Sequence, residues 1–197
     1  NELRLSGHIF PSNLVATSSL GEALHDSGTV ILAVPSQALR ENAAQMRDAI
    51  VGSPLIISAV KGLESVTYKR MSEILVEELP DGFDQRICVL SGPNLAGEVL
   101  RGIPTSTVIA SEAADASAQG QSLLNTRDFR VYTNTDVIGV ELAGAMKNII
   151  AIGAGICDGL GFGNNTKAAF IARGLAEITR LAVAAGGVSQ TFAGLAG

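Results

Sequence analysis

Two lysines and one bend hold the side chains of this chain best suited to chemistry. Lys147 is the only cation between Glu141 and Cys157, in a segment otherwise built from Ala, Gly, Ile and other uncharged residues. At helical spacing its face carries Ala143, Gly144, Ile150, Ala151 and Ala154, small or apolar groups that let other segments approach and leave room beside an ammonium. Burial disfavours the charged form of an amine and moves its pKa from ~10.4 towards neutrality, where proton transfer is efficient. A second reading is a snorkelling lysine whose stem covers apolar surface while its amine reaches water. The residues alone leave both open, and Asn148 beside it reads equally as a satisfied core amide.

Lys61 follows a β-branched run in Ser58-Ala59-Val60-Lys61-Gly62. That places it at the carboxyl edge of a predicted central strand, where open α/β sheets bind their ligands. Ser91-Gly92-Pro93-Asn94 follows the next strand in the same way. Its Gly permits close backbone approach, and the helix start behind it offers free N–H groups suited to an anion. The same residue types also make an ordinary strand-to-helix turn. Val34-Pro35-Ser36 ends an earlier strand near the same edge, which makes Pro35 a candidate wall of a cofactor site.

These residues need elements to position them, and the first part of the chain supplies an alternation of short β-branched runs and helix-like segments. Residues 14–17, 29–34, 55–60, 86–91, 106–110 and 129–133 read as strands bounded by Gly, Pro, Ser or Asn. Residues 19–26, 37–50, 67–79, 95–101 and 112–124 have apolar residues at three- and four-residue spacing and read as helices. Runs 29–34 and 55–60 are apolar on both faces, as central strands covered by helices on each side should be. The pattern predicts an α/β fold with a doubly wound parallel sheet.

From residue 136 the strand punctuation stops. Residues 136–157 form one long apolar segment, and a second helix runs from a cap at Asn165 or Thr166 to a stop at Gly186-Gly187. The chain therefore divides into residues 1–135, a sheet domain, and residues 136–197, the beginning of an all-α domain. The apolar segment approaches the ~20 residues of a bilayer span. Glu141, Lys147 and Asn148 in its interior argue for a buried helix between domains, since one central Lys costs at least ~2.5 kcal/mol on insertion.

Composition narrows the function classes. The 197 residues are 47% hydrophobic and 17% charged, the balance of a compact globular protein. A formal net charge of -5 gives no basis for holding a nucleic acid. Cys88 and Cys157 stand far apart with no close Cys or His partner, which suits reduced thiols in the cytoplasm and no metal site. Residues 1–10 show no export signal. Gly159-Leu160-Gly161-Phe162-Gly163 imitates a nucleotide fingerprint, but Asn164 stands where a third Gly belongs and a helix precedes it, so an interhelical loop is expected. His8 and His25 are isolated and read as surface residues.

Four motifs in order carry a resemblance: Val60-Lys61-Gly62; Ser91-Gly92-Pro93-Asn94-Leu95-Ala96; Glu141-Leu142-Ala143-Gly144-Ala145-Met146-Lys147-Asn148-Ile149-Ile150-Ala151-Ile152; and Gly159-Leu160-Gly161-Phe162-Gly163-Asn164-Asn165-Thr166-Lys167-Ala168-Ala169. Together they resemble the NAD(P)-dependent glycerol-3-phosphate dehydrogenase family in its bacterial form, over nearly the whole chain. The resemblance implies a Rossmann-like sheet followed by an all-α C-terminal domain, truncated at both ends. It also implies hydride transfer between NAD(P)H and dihydroxyacetone phosphate to give sn-glycerol 3-phosphate for glycerophospholipid synthesis. By matching motifs, Lys147 is the catalytic lysine, Lys61 touches cofactor and substrate, Gly92 and Asn94 contact substrate, and Ala96 lies beside the nicotinamide cofactor. Asn148 is a candidate for orienting substrate. NAD or NADP is the implied cofactor and a phosphorylated triose the implied partner, with no nucleic acid and no membrane insertion. The apolar helical half suits a homodimer.

The family's Gly-rich fingerprint precedes Asn1, and its Gly-Asp-Leu and Arg-Asn motifs follow Gly197, so the resemblance implies that this piece alone is inactive. Two other classes share these features: a catalytically silent nucleotide-binding or sensor module, and a related hydroxyacid or sugar-acid dehydrogenase.

Overall fold

A computed structural model describes residues 7–196. Residues 1–6, part of the opening segment read for an export signal, and Gly197, where the chain stops, lie outside the described residues. Five strands, β1 (Thr29–Leu32), β2 (Leu55–Ser58), β3 (Ile87–Ser91), β4 (Thr105–Ala110) and β5 (Phe129–Asn134), form one sheet in sequential order. Helices α1 (Leu20–Leu24), α2 (Leu39–Ala49) and α3 (Met71–Glu78) lead up to β3, α4 (Ala96–Leu100) follows it, and α5 (Ala114–Leu124) joins β4 to β5. The chain continues as α6 (Val137–Gly159), α7 (Gly163–Ala184) and α8 (Ser189–Phe192).

The inner strands β2, β3 and β4 are helix-covered on both faces because they are apolar on both, whereas β1, expected as a central strand, is an edge strand of the described sheet and leaves Ile31 exposed. Ile56 and Ile87 face α2 and α3 with Leu39, Met46, Ile74 and Leu75. Along the same face Val89, Val108 and Ala110 meet α6 and Phe192 of α8. Leu55, Ile57, Cys88, Ile109 and Val131 point the other way, onto Ala116 of α5. In α2 the buried residues Leu39, Ala43 and Met46 recur every three or four positions, the stripe that seats an amphipathic helix.

The sheet departs from the wholly parallel pattern at one seam. β1, β2 and β3 are parallel, β4 pairs antiparallel with β3, and β5 is parallel to β4. The reason lies in the connection. A five-residue helix is ~7.5 Å long, whereas a five-residue strand is ~17 Å. The short α4 does not carry the chain across the sheet, and β4 enters from the edge that β3 leaves. The eleven-residue α5 is long enough for the crossover to β5.

Residues 14–17, expected as a strand, form none. Leu14 and Val15 are exposed, and the segment serves α1 instead: Ser19 N donates to Thr17 Oγ1, and Thr17 Oγ1 donates to Glu22 at 2.7 Å. The long apolar segment is one helix, α6, but its burial is uneven. Seven of its first eight residues, Val137 and Gly139–Gly144, are buried on the sheet, whereas Ile149, Ile152 and Ile156 are exposed. By length and composition α6 is apolar enough to cross a membrane, yet its first half is committed to protein. The Asp136 carboxylate caps it by accepting from Gly139 N at 2.8 Å, and accepts from Val188 N and Thr191 Oγ1, which ties α8 to the same end. Gly159 ends α6 and Gly163 begins α7, so the Gly-rich run is the interhelical loop expected of it.

Candidate active site

The parallel strands end at Leu32, Ser58 and Ser91, so their following residues share one edge of the sheet, and α6 crosses it. Lys61 arrives from the turn after β2 and donates from Nζ to the Gly92 carbonyl at 3.3 Å. Lys147 arrives from α6 and donates to Ser91 Oγ at 3.3 Å, with a longer contact of 3.5 Å to the Ala196 carbonyl. Two amines therefore converge on two consecutive residues at the end of β3. Among the described residues neither forms an ion pair with a carboxylate.

This arrangement fixes where the Lys147 side chain lies. The side chain is half-buried against β3 instead of reaching out from the helix. Burial first, and then repulsion from Lys61, lower its pKa to about 8. Lys61 is open to solvent on one side, and the burial that remains lowers its pKa below the usual lysine value. A pocket of about 380 Å³ opens beside Lys147, lined by Ala143, Ile150, Ala151 and Ala154 of α6 and faced by Ile171, Leu175 and Phe192. The first four are small or apolar residues of the helix face on which the sequence reading places Lys147.

Gly92 is packed hard against β4: a Cβ there would lie 2.7 Å from Thr107 Oγ1 and 2.9 Å from the Ser106 carbonyl. Any side chain would push the bend off the sheet and move the carbonyl that receives Lys61. Asn94 is tied down at both ends of its amide, donating to the Ser106 carbonyl at 3.2 Å and accepting from Thr107 Oγ1 at 2.9 Å. Ala96 opens α4 and is exposed, as is Pro35 in the turn after β1. With only five residues, α4 has a small dipole, so positive charge at this edge comes from the two amines rather than from a helix terminus. Asn148 is exposed and makes no hydrogen bond among the described residues, which removes the core-amide reading. His8 and His25 are exposed, and Cys88 and Cys157 are free and buried.

Sequence reasoning gave Glu141 no part beyond arguing against a membrane span. It is buried on α6, where Oε2 accepts from Arg70 Nη1 at 2.8 Å and Ser72 Oγ at 2.6 Å, and Oε1 accepts from Ser72 N at 2.7 Å. Burial pushes its pKa up, while the Ser72 and Arg70 hydrogen bonds oppose that rise. The one available signal was general: a carboxylate on an apolar helix needs a cation. Nothing in the spacing pointed to Arg70. Ser91 was noticed only as part of a bend, not as the partner of Lys147.

A doubly wound sheet with two amines at its ligand-binding edge, crossed by a long helix that opens a helical unit, is the architecture of the Rossmann-like class with a helical carboxy-terminal part. Residues 1–117 match the NAD-dependent glycerol-3-phosphate dehydrogenase N-terminus and residues 136–197 match the corresponding C-terminus. The chain belongs to the NAD-dependent glycerol-3-phosphate dehydrogenase family. It is 50% identical over 190 residues to the glycerol-3-phosphate dehydrogenase [NAD(P)+] of Dehalococcoides mccartyi, covering 96% of this chain and 53% of that protein. It is 49% identical over 197 residues to the protein of the same name from Chlorobium limicola, covering 100% of this chain and 59% of that one. A crystal structure of glycerol-3-phosphate dehydrogenase from Coxiella burnetii is similar with a TM-score of 0.89 and 38% identity, over 98% of this chain and 58% of that one. The chain thus spans between half and three-fifths of the length of these relatives.

Proposed function

We propose that the full-length protein is an NAD(P)-dependent oxidoreductase that interconverts dihydroxyacetone phosphate and sn-glycerol 3-phosphate, supplying glycerophospholipid synthesis. The observation that carries this reading is the convergence of Lys61 and Lys147 on Gly92 and Ser91, at the carboxyl edge of the sheet, in a chain of this family.

The nicotinamide cofactor, when bound, supplies or accepts the hydride. The residues fit such a group: the turn holding Pro35 and the start of α4 at Ala96 are open, with Lys61 at the same edge. We assign Pro35, Ala96 and Lys61 to holding it. Lys147 performs the proton chemistry. As the substrate carbonyl is reduced, its oxygen gains negative charge, which the adjacent ammonium stabilises and then protonates from Nζ. A pKa of about 8 leaves Lys147 able to give and regain that proton near neutral pH. Lys61, Gly92 and Asn94 form the substrate wall. Asn94 contributes its backbone and a fixed surface, because its amide is already used on β4. Asn148 is free to orient a group that approaches from the open side. The mutual repulsion of the amines favours a dianionic phosphate ester over the uncharged dihydroxyketone.

The division at residues 135 and 136 is part of the same proposal, with the sheet as the cofactor domain and α6 opening the catalytic one. A homodimer of the full-length protein is supported by the exposed apolar residues Ile149, Ile152 and Ile156 of α6 and Leu181 of α7. A cytoplasmic location is supported by two buried, unpaired thiols.

The test is NADH and NADPH oxidation by the full-length protein with dihydroxyacetone phosphate or unphosphorylated dihydroxyacetone. Turnover confined to the phosphate ester is expected, and the 197-residue piece alone should show none. Cofactor binding without turnover would replace this reading with a sensor module. Equal turnover of both ketones would exclude a site that reads phosphate.

A further inference from the structure

Ser91 is the last residue of β3 and only 3% exposed, and its Oγ is the shorter of the two contacts made by Lys147 Nζ. The helix confines that hydroxyl closely. Gly144 of α6 passes directly across it: a Cβ at this position would lie 2.6 Å from Ser91 Oγ. Only a glycine lets the helix lie that close while the hydroxyl stands between sheet and helix. On the inner side a cavity of about 10 Å³ is lined by Ser58, Lys61, Ser91, Glu141 and Gly144. Ser58 is 1% exposed and its Oγ has no partner among the described residues.

A hydroxyl offers one donor and two acceptor lone pairs and rotates to suit its neighbour. Ser91 can therefore accept from the ammonium form of Lys147 and donate to its amine form, keeping Nζ in one place in both protonation states. The other contact of Lys147, the Ala196 carbonyl at 3.5 Å, is longer and can only accept, so it cannot serve the amine form as a donor, and the remaining surroundings offer no further polar partner among the described residues. Lys61 faces it with the same charge, Glu141 is occupied by Arg70 and Ser72, and the sides formed by α7 and α8 are apolar at Ile171, Leu175 and Phe192.

We propose that Ser91 is a positioning residue for the reaction, its hydroxyl aiming the Lys147 amine at the substrate oxygen, with Gly144 the clearance that this contact requires. This rests on the reading of Lys147 as the proton donor.

The experiment compares Ser91→Ala, Gly144→Ala and Lys147→Ala in the full-length protein. It measures kcat and KM for dihydroxyacetone phosphate across pH, with cofactor affinity and thermal midpoint as checks on folding. Loss of one hydrogen bond in the transition state corresponds to roughly a tenfold fall in kcat, and Ser91→Ala is expected to show it with little change in KM. Because the ammonium loses an acceptor, the alkaline limb of the kcat profile should move to lower pH. Gly144→Ala, which crowds the same hydroxyl from the helix side, should move that limb in the same direction. An unchanged profile in Ser91→Ala overturns the proposal, and so does a fall in kcat with the limb left in place, which marks a merely structural residue. Should Ser91→Ala not fold, the limb in Gly144→Ala decides alone. Turnover surviving in Lys147→Ala would instead remove the parent reading, whatever Ser91 does.

Discussion

Six residues apart on α6, Glu141 and Lys147 have met burial in opposite ways. Around Glu141 the surroundings answer the charge: a guanidinium, a hydroxyl and a backbone N–H all point at one carboxylate. Around Lys147 they do not. Its partners are a neutral hydroxyl and a carbonyl, and the nearest charge named in its pKa shift is another lysine. Burial shifts both groups, but a carboxylate held by three donors rigidifies a junction, whereas an amine left without a counter-charge keeps a proton ready to move. The first region fastens the helix to the sheet so that the second can keep its amine in an unfavourable place.

Removing the lysine should produce the largest effect. Lys147→Ala in the full-length protein is expected to lower turnover by ~10²- to 10⁴-fold, the range of a general acid, while cofactor binding measured by fluorescence titration is preserved. Glu141→Ala should act on stability instead. It removes the carboxylate that Arg70, Ser72 Oγ and Ser72 N all meet, and although half-buried Arg70 keeps Glu73, loss of these hydrogen bonds should cost about 1–3 kcal/mol, readable as a fall in the urea midpoint. Equal losses of stability in the two variants would erase the contrast. An effect of similar size is expected where α7 meets α6. A Cβ at Gly153 would lie 2.1 Å from Phe170 Cζ, so Gly153→Ala should destabilise by about 1–3 kcal/mol through overpacking, partly relieved by Phe170→Leu in the same chain.

The smallest prediction sharpens the comparison by its sign. Lys147→Met removes an amine whose folded pKa lies below its unfolded value. Such an amine binds its proton more weakly in the folded chain, so it lowers stability below about pH 8, and that cost disappears as pH rises towards the unfolded pKa of ~10.4. Discounted for the part of the side chain that solvent still screens, Lys147→Met should stabilise the protein at pH 7 by on the order of 1 kcal/mol. The gain should vanish by pH 11. Destabilisation at pH 7 would mean that the amine is structurally matched after all.

Much of the molecule was legible in its residues because the signals are local. The runs that became β1 to β5 announce themselves by β-branched residues between turn formers, and α2 by the spacing of Leu39, Ala43 and Met46. The direction of β4 was not legible, since it is set by the path of the connection from β3 rather than by anything within the strand. Residues 14–17 have the composition of a strand but no neighbour to pair with, and their polar atoms went to capping α1. In α6 the apolar run hid a division between a half that packs on the sheet and a half whose Ile149, Ile152 and Ile156 are exposed.

The candidate site divides along the same line. Lys147 could be found because it is a lone cation on an apolar helix, and Lys61 because it stands just past a central strand. Ser91 meets Lys147 across 56 residues and Arg70 meets Glu141 across 71, separations that no periodicity encodes. Asn94 shows the converse: its place in the bend was plain, but not that both ends of its amide would be spent on β4.

The most direct test of the unmatched amine is its own titration. Reductive 13C-methylation of the full-length protein, with the Lys147 signal assigned by its loss in Lys147→Arg, reads the pKa by NMR without cofactor or substrate. A midpoint near 8 is predicted, well below that of the remaining surface lysines. A midpoint at the ordinary lysine value of ~10.4 would contradict the account.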